Sequence, residues 1–313
     1  MKSLVTGGAG FIGSNLAQKL VEMGDEVIVL DNFSSGYREN LENLEIELVE
    51  MDICDKNIIH SSAFRGVNRV FHLAANVDNR FSWEDPTLSL RNNIDGTLNV
   101  GLACKENQVS QIIYASTGTI YGDSPNPPYA EHLQTSHQTT LYGATKYSAE
   151  GILSVIATHF KISCLVFRFV GVLGPNTSHG HLFDFMRKLR ANPNSLKVLG
   201  NGNQKKAYVD VDDVINALIQ TKSKNFDVFN LGRSDFSTVR DSVKWLCEEL
   251  EITPIIQYEE NDRGWIGDNP HLYLDIKKLH ETGWRPTRTI EESVKRTVRW
   301  IAENPSRLEL NHE

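Results

Sequence analysis

Thr6-Gly7-Gly8-Ala9-Gly10-Phe11-Ile12-Gly13 follows a short apolar run, Leu4-Val5, and opens a helical pattern through Leu16, Leu20 and Val21. Strand, glycine-rich turn and helix, in that order, make the setting in which a backbone meets a dinucleotide pyrophosphate. Gly7 lets the chain turn sharply and Gly10 lets the backbone approach the phosphates. Gly13 lets the new helix, with Phe11 and Ile12 in its first turn, pack tightly on the strand and aim its N–H groups at the charge. The second apolar run, Glu26-Val27-Ile28-Val29-Leu30, ends in Asp31. An acid there accepts hydrogen bonds from the adenosine ribose and repels a 2′-phosphate, so the pattern points to NAD rather than NADP.

Around this fingerprint strand and helix patterns alternate. Asn32-Phe33-Ser34-Ser35-Gly36 is a polar turn placed to border the ribose. Residues 45–51 read as a third strand running into Asp52-Ile53, which either flank the adenine or begin a capped helix. Residues 69–73 make a fourth strand that ends in Leu73 and is followed by Ala74 and Ala75, small enough for a cofactor to cross. His72 reads as a hydrogen-bonded strand-end histidine, because no second metal ligand sits at useful spacing. Residues 88–107 form a long helix with Asn92 and Asn93 near its start. Residues 111–115 form a fifth strand entering Ser116-Thr117-Gly118-Thr119-Ile120-Tyr121-Gly122. A proline-bearing loop at 125–128 then precedes a helix over 142–159.

Such alternation predicts an α/β fold, a Rossmann-type doubly wound parallel sheet. Beyond a sixth strand at 162–168 the pattern is less regular, with helices at 182–190, 213–221, 238–250 and 290–304. The expected division is an NAD-binding domain over 1–170, with returning segments near 207–235. A smaller, interwoven substrate-binding lobe would fill 171–313.

Bulk properties narrow the function. The chain of 313 residues is 40% hydrophobic and 23% charged, with a formal charge of −8 and no basic run. That excludes phosphate-backbone tracking, so neither nucleic acid nor an anionic membrane is an expected partner. No apolar run reaches membrane-spanning length. The first strand begins at once, leaving no room for a signal segment, and the expected location is cytoplasmic. Cys54, Cys104, Cys164 and Cys247 are scattered and read as buried thiols, and no metal site is expected.

Tyr142-Gly143-Ala144-Thr145-Lys146 puts a phenol and an ammonium one helical turn apart on the same face. A nearby cation favours the phenolate, and Tyr142 then serves as a base while Lys146 holds the nicotinamide ribose. Thr117, at the end of the preceding strand, can hydrogen-bond the reacting oxygen.

With these motifs in hand, the chain resembles the extended short-chain dehydrogenase/reductases acting on nucleotide sugars, over nearly its whole length. Besides the motifs above, the resemblance rests on Arg168-Phe169, Gly200-Asn201-Gly202, residues 208–214 and Gly283-Trp284-Arg285-Pro286. Within that family it looks closest to the UDP-glucose 4-epimerases. The resemblance implies Thr117, Tyr142 and Lys146 as catalytic residues. It implies cofactor contacts at Gly7, Gly10, Phe11, Ile12, Gly13, Asp31, Asn32, Ser35, Gly36, Asp52, Ile53, Leu73, Ala74, Ala75, Asn93, Ser116 and Phe169. Substrate contacts fall to Thr117, Thr119, Tyr142, His181, Leu199, Lys206, Tyr208 and Arg263, with His179 in the same covering loop. Gly118 and Thr119 stand where dehydratases carry Asp-Glu and decarboxylases carry Glu, which argues against both reactions. Gly171, Lys206 and Arg263 depart from the usual diphosphate-binding pattern. The implied activity is 4-epimerisation of a UDP-hexose or UDP-N-acetylhexosamine through a 4-keto sugar, by a homodimer. The alternatives are another nucleotide-sugar oxidoreductase on the same scaffold, or an NAD-binding regulatory protein without catalysis.

Overall fold

Val27, Ile28, Val29 and Leu30 are all buried, as are Val70 with Phe71 and Leu165 with Val166 and Phe167. Strands buried on both faces belong to a parallel sheet covered by helices. The computed structural model describes residues 1–78, 80, 83–124, 127–133, 137–223 and 225–309. The start of the loop expected at 125–128 therefore lies outside the described residues.

Strands β1 (Lys2–Thr6), β2 (Glu26–Asp31), β3 (Glu47–Glu50), β4 (Arg69–His72), β5 (Gln111–Thr117) and β6 (Ser163–Phe169) enter the main sheet. The chain then leaves it for β7 (Gly171–Leu173), β8 (Ser195–Val198), β9 (Lys205–Lys206) and β10 (Tyr208–Asp210). It comes back as β11 (Phe226–Leu231), which completes a seven-stranded sheet of order β3-β2-β1-β4-β5-β6-β11. All of its pairings are parallel. Strand order reverses between β1 and β4, the switch point at whose carboxyl edge such sheets bind ligands. Short strands β12 (Ser237–Thr238), β13 (Ile255–Tyr258) and β14 (His271–Leu272) pair with β8 and β9 in the smaller lobe.

Side-chain alternation along β2 feeds the two faces. Val27 and Val29 join Leu16, Ala17 and Leu20 of α1 (Phe11–Glu22). Ile28 and Leu30 join the opposite face, covered by α3 (Gly96–Glu106) and α4 (Leu141–Phe160). A third apolar cluster unites α5 (His181–Ala191), α7 (Val239–Glu249) and α9 (Ile290–Glu303) with β8 and Tyr208. The chain also contains α2 (Pro86–Leu90), α6 (Val211–Gln220) and α8 (Lys277–Glu281). Among the described residues no helix is long and apolar enough to cross a membrane.

The structure refines several expectations. The helix expected over 88–107 is α2 and α3 joined by a π-turn, Arg91–Asp95. Such turns add one residue per ring and are frequent at functional sites, and this one carries Asn93. Cys104 and Cys164 are buried, but Cys54 and Cys247 are only half-buried. Most of the small lobe's strands left no pattern in the sequence, because two to four residues barely display a periodicity.

Candidate active site

The sheet register brings the expected residues to one edge. Thr6 lies opposite His72 and Leu30, Asp31 opposite Glu50, and Thr117 opposite Phe169. The glycine loop is packed too tightly for side chains. A Cβ on Gly7, whose φ is +68°, would sit 2.7 Å from the Ala74 backbone nitrogen, and one on Gly13 would sit 2.2 Å from the Gly7 carbonyl oxygen. Gly36 packs as closely on Ala9. Gly10 caps α1 with no side-chain hydrogen bond, and the first turn holds no acid. Uncapped N–H groups beside a bare backbone cradle fit a pyrophosphate.

Asp31 is 7% exposed and accepts hydrogen bonds from the backbone nitrogens of Ala9 and Phe33, each at 2.8 Å. Burial raises its pKa against the pull of those donors. Each oxygen keeps a lone pair for a ribose hydroxyl. Asn32 turns its amide oxygen to Ser34, while Ser35 is exposed. Asp52 accepts from the Cys54 nitrogen at 2.7 Å, forming a local turn. The helix cap considered for it belongs instead to Asp55. Ile53 is buried against Gly96, and Leu73, Ala74 and Ala75 line the end of β4 half-buried.

Two expected cofactor contacts have their side chains committed elsewhere. Asn93 accepts from the Asn76 nitrogen (2.9 Å) and donates to the Asn76 carbonyl and to Thr145 Oγ1, each at 3.0 Å. It clamps the loop after β4 to α4. Ser116 donates its hydroxyl to Glu150 at 2.5 Å. His72 bonds Thr6 through Nδ1 (2.8 Å) and Thr97 through Nε2 (3.0 Å), and Thr97 donates onward to the Asn93 carbonyl. Thr97 therefore accepts from His72, which fixes the Nε2–H tautomer.

At the end of β5, Thr117 accepts from the Thr119 nitrogen (3.1 Å) and donates to Thr119 Oγ1 (3.0 Å). The half-buried Tyr142 phenol lies beside Thr117. Lys146 is 2% exposed, with Nζ 4.1 Å from the centre of the Tyr114 ring face. Burial pushes Tyr142 up to about 12, against the pull of Thr117. Burial pushes Lys146 down to about 7, against the charge of Glu150. The order corrects the simple picture of a cation aiding the phenol. Without ligands, the lysine discharges well before the tyrosine ionises.

A depressed lysine has a stability signature. The unfolded chain holds the proton up to about 10.5 while the folded one releases it near 7, so stability gains from this group as pH rises through that window. Below it the full penalty of a buried ammonium applies. Cofactor-free Lys146→Met is expected to melt roughly 2–4 °C above the parent at about pH 6, with the gap closing towards pH 10. Equal melting curves at both pH values would refute the assignment of the burial penalty.

The smaller lobe faces this edge with cations that are already paired. Lys206 donates to Asp268 at 2.6 Å and to the Asn269 carbonyl. Arg263 holds Asp123 through both terminal nitrogens (3.2 and 3.1 Å) and donates to the Asp268 carbonyl. An incoming anion must displace these carboxylates. Tyr208 stacks on His181, ring centres 4.7 Å apart, and a Cβ on Gly171 would meet its ring at 2.6 Å. That explains the glycine: the tyrosine takes the space of a side chain. His181 Nε2 is closed off from solvent without a partner, and burial, with Lys206 nearby, holds the ring near 3 and neutral. His179 lies exposed at the surface and Leu199 is half-buried.

This arrangement has counterparts in known proteins. The model of the NAD dependent epimerase/dehydratase family matches residues 3–232. The chain belongs to that family. A putative UDP-glucose 4-epimerase of Methanocaldococcus jannaschii is 32% identical, with 96% of this chain and 98% of the relative covered. A crystal structure of a UDP-galactose 4-epimerase superposes with a TM-score of 0.87 at 36% identity, over 97% of this chain and 99% of the other. The Thermus thermophilus UDP-glucose 4-epimerase in complex with NAD superposes at 0.85 and 31% identity, over 96% and 99%. This member of the epimerase/dehydratase family is accordingly an NAD-dependent enzyme of the UDP-glucose 4-epimerase-like group.

Several working parts of the epimerase-family site escaped the sequence reading. Asn76, Thr145, Asp123 and Glu150 hold its expected residues in place. Only Glu150 left a signal, four residues beyond Lys146 and eight beyond Tyr142 on one helical face.

Proposed function

We propose that the protein is a 4-epimerase of UDP-hexoses or UDP-N-acetylhexosamines, working in the cytoplasm as a homodimer. The observation that carries the reading is the Thr117–Thr119 hydroxyl pair at the end of β5, with Tyr142 beside it and no carboxylate at positions 118 and 119. A dehydratase or decarboxylase needs an acid there, whereas epimerisation needs only a proton acceptor that returns what it takes. Bound NAD supplies reversible hydride acceptance. Tyr142 takes the proton of the sugar C4 hydroxyl as the carbon–hydrogen bond breaks, leaving a 4-keto sugar. It gives the proton back when the opposite face is reduced. Thr117 orients the oxygen, Lys146 holds the ribose, and Lys206 and Arg263 move from their carboxylates to the diphosphate. Tyr208 lies by the diphosphate and His181 at the end of the loop that covers the sugar.

Leu90, Leu98, Tyr147 and Val155 lie exposed on the α2–α3 and α4 helices, an apolar face suited to a second copy. Four free thiols suit a reducing compartment.

Proton NMR of the purified protein with UDP-glucose, and separately UDP-N-acetylglucosamine, tests the reading with no NAD added. The C4 epimer is expected from at least one, and the faster substrate names the sugar. No product from either, even with NAD supplied, would move the reaction to another nucleotide or another chemistry.

A further inference from the structure

Glu150 sits one helical turn beyond Lys146 and two beyond Tyr142, and it is 4% exposed. Its Oε1 accepts from Ser116 Oγ (2.5 Å) and Arg168 Nε (3.1 Å), and its Oε2 accepts from Arg168 Nη2 (2.7 Å). Arg168 also donates to the Tyr121 hydroxyl (2.8 Å) and the Glu131 carbonyl (3.2 Å). Three elements thus meet at one carboxylate: α4 with Tyr142 and Lys146, β5 where Ser116 precedes Thr117, and β6. A buried ion pair is seldom more stable than apolar residues of the same volume, so fold stability alone does not account for it.

We propose that Glu150 is a positioning residue of the catalytic centre. It fixes Ser116, and with it Thr117, against the helix that carries Tyr142, and its carboxylate places a negative charge one turn from Lys146, favouring the ammonium there. The inference rests on Tyr142 being the base of the proposed reaction.

The groups facing Lys146 support the electrostatic half. These are Glu150 from α4, the Tyr114 ring from β5 and His72 from β4, with Tyr142 one helical turn before Lys146. Tyr114 and Tyr142 stay protonated near neutrality, both raised by burial. His72 is held neutral, its value near 3. Among the described groups that face Lys146, Glu150 alone is an anion. A neutral Lys146 would leave the Tyr142 phenolate without a counter-charge one turn away.

The test titrates Tyr142 by its near-ultraviolet phenolate absorbance in the NAD-loaded protein, taken as the difference from Tyr142→Phe. In Glu150→Gln the phenolate is expected to form about one pH unit higher than in the parent, and kcat at neutral pH to fall about 10-fold. KM should stay within about twofold. The double variant Glu150→Met, Arg168→Met removes both charges with apolar replacement. It is expected to fold as stably as the parent and to shift the phenolate in the same direction. If Glu150→Gln does not fold, the double variant decides. A lowered melting temperature with an unmoved phenolate titration in the folded variants would mean that Glu150 only braces the fold, and the proposal falls. The absorbance titration needs no nucleotide sugar, so failure of the epimerase reading is seen separately, in the parent's lack of turnover.

Discussion

Tyr142→Phe is expected to lose roughly 10³-fold or more in turnover while keeping its NAD, at the upper part of the range for general acid–base catalysis. The substitution removes one oxygen and leaves the half-buried ring in place. In the proposed reaction that oxygen is the group that accepts the C4 proton. With the free phenol held near 12, Tyr142 ionises only when its surroundings turn positive, so no neighbouring residue substitutes for it. Thr117 and Thr119 remain as hydrogen-bonding groups but are far weaker bases. Single-turnover mixing of NAD-loaded protein with substrate separates the steps, and the variant should show neither transient reduction of NAD nor product. Turnover within about tenfold of the parent would sink the assignment of the base.

Gly13→Ala should be as damaging at the other end of the site. The added methyl would fall 2.2 Å from the Gly7 carbonyl oxygen and 2.7 Å from the Gly8 Cα, and both are backbone atoms. Gly7 cannot retreat, because its far side already rests on the Ala74 backbone. The loop must therefore open, and the uncapped N–H groups of α1 move off the phosphate positions. The variant is expected to purify with little bound NAD and to bind added NAD at least about 100-fold more weakly, since several charge-assisted hydrogen bonds are lost together. Thermal shift on adding NAD reads this without any assay of activity. Gly151→Ala is the control. That glycine, on α4, has open space where its Cβ would stand, and the change should be neutral or stabilise by about 0.5–1 kcal/mol. A Gly13→Ala protein that retains the parent's NAD content would refute the cradle.

Both variants act on residues that sequence made legible, and for a common reason. Gly7, Gly13, Tyr142 and Lys146 are set by local spacing within one turn and one helix, so their relation survives without knowledge of the fold. The sheet was legible for a similar reason, since strands buried on both faces are continuous apolar runs bounded by turns. What escaped is what depends on distant pairing. The Ser116–Glu150–Arg168 group draws on three separate elements, and the Arg263–Asp123 pair joins residues far apart in the chain. Gly171 looked like a lost ligand until the Tyr208 ring appeared over it. Asn93 and Ser116 sit at the predicted edge, yet their side chains face inward to protein partners. Position at the sheet edge could be read from sequence, and side-chain orientation could not.

The return of β11 to the sheet has a consequence for how this protein is made. Until residues 226–231 emerge during synthesis, β6 offers a row of unpaired backbone groups beside an apolar strand, the kind of edge that recruits other chains. A fragment ending near residue 170 would hold the glycine loop and the Tyr142 helix and still leave that edge of β6 open. The sheet is therefore completed only after the chain has passed through β7 to β10 and come back.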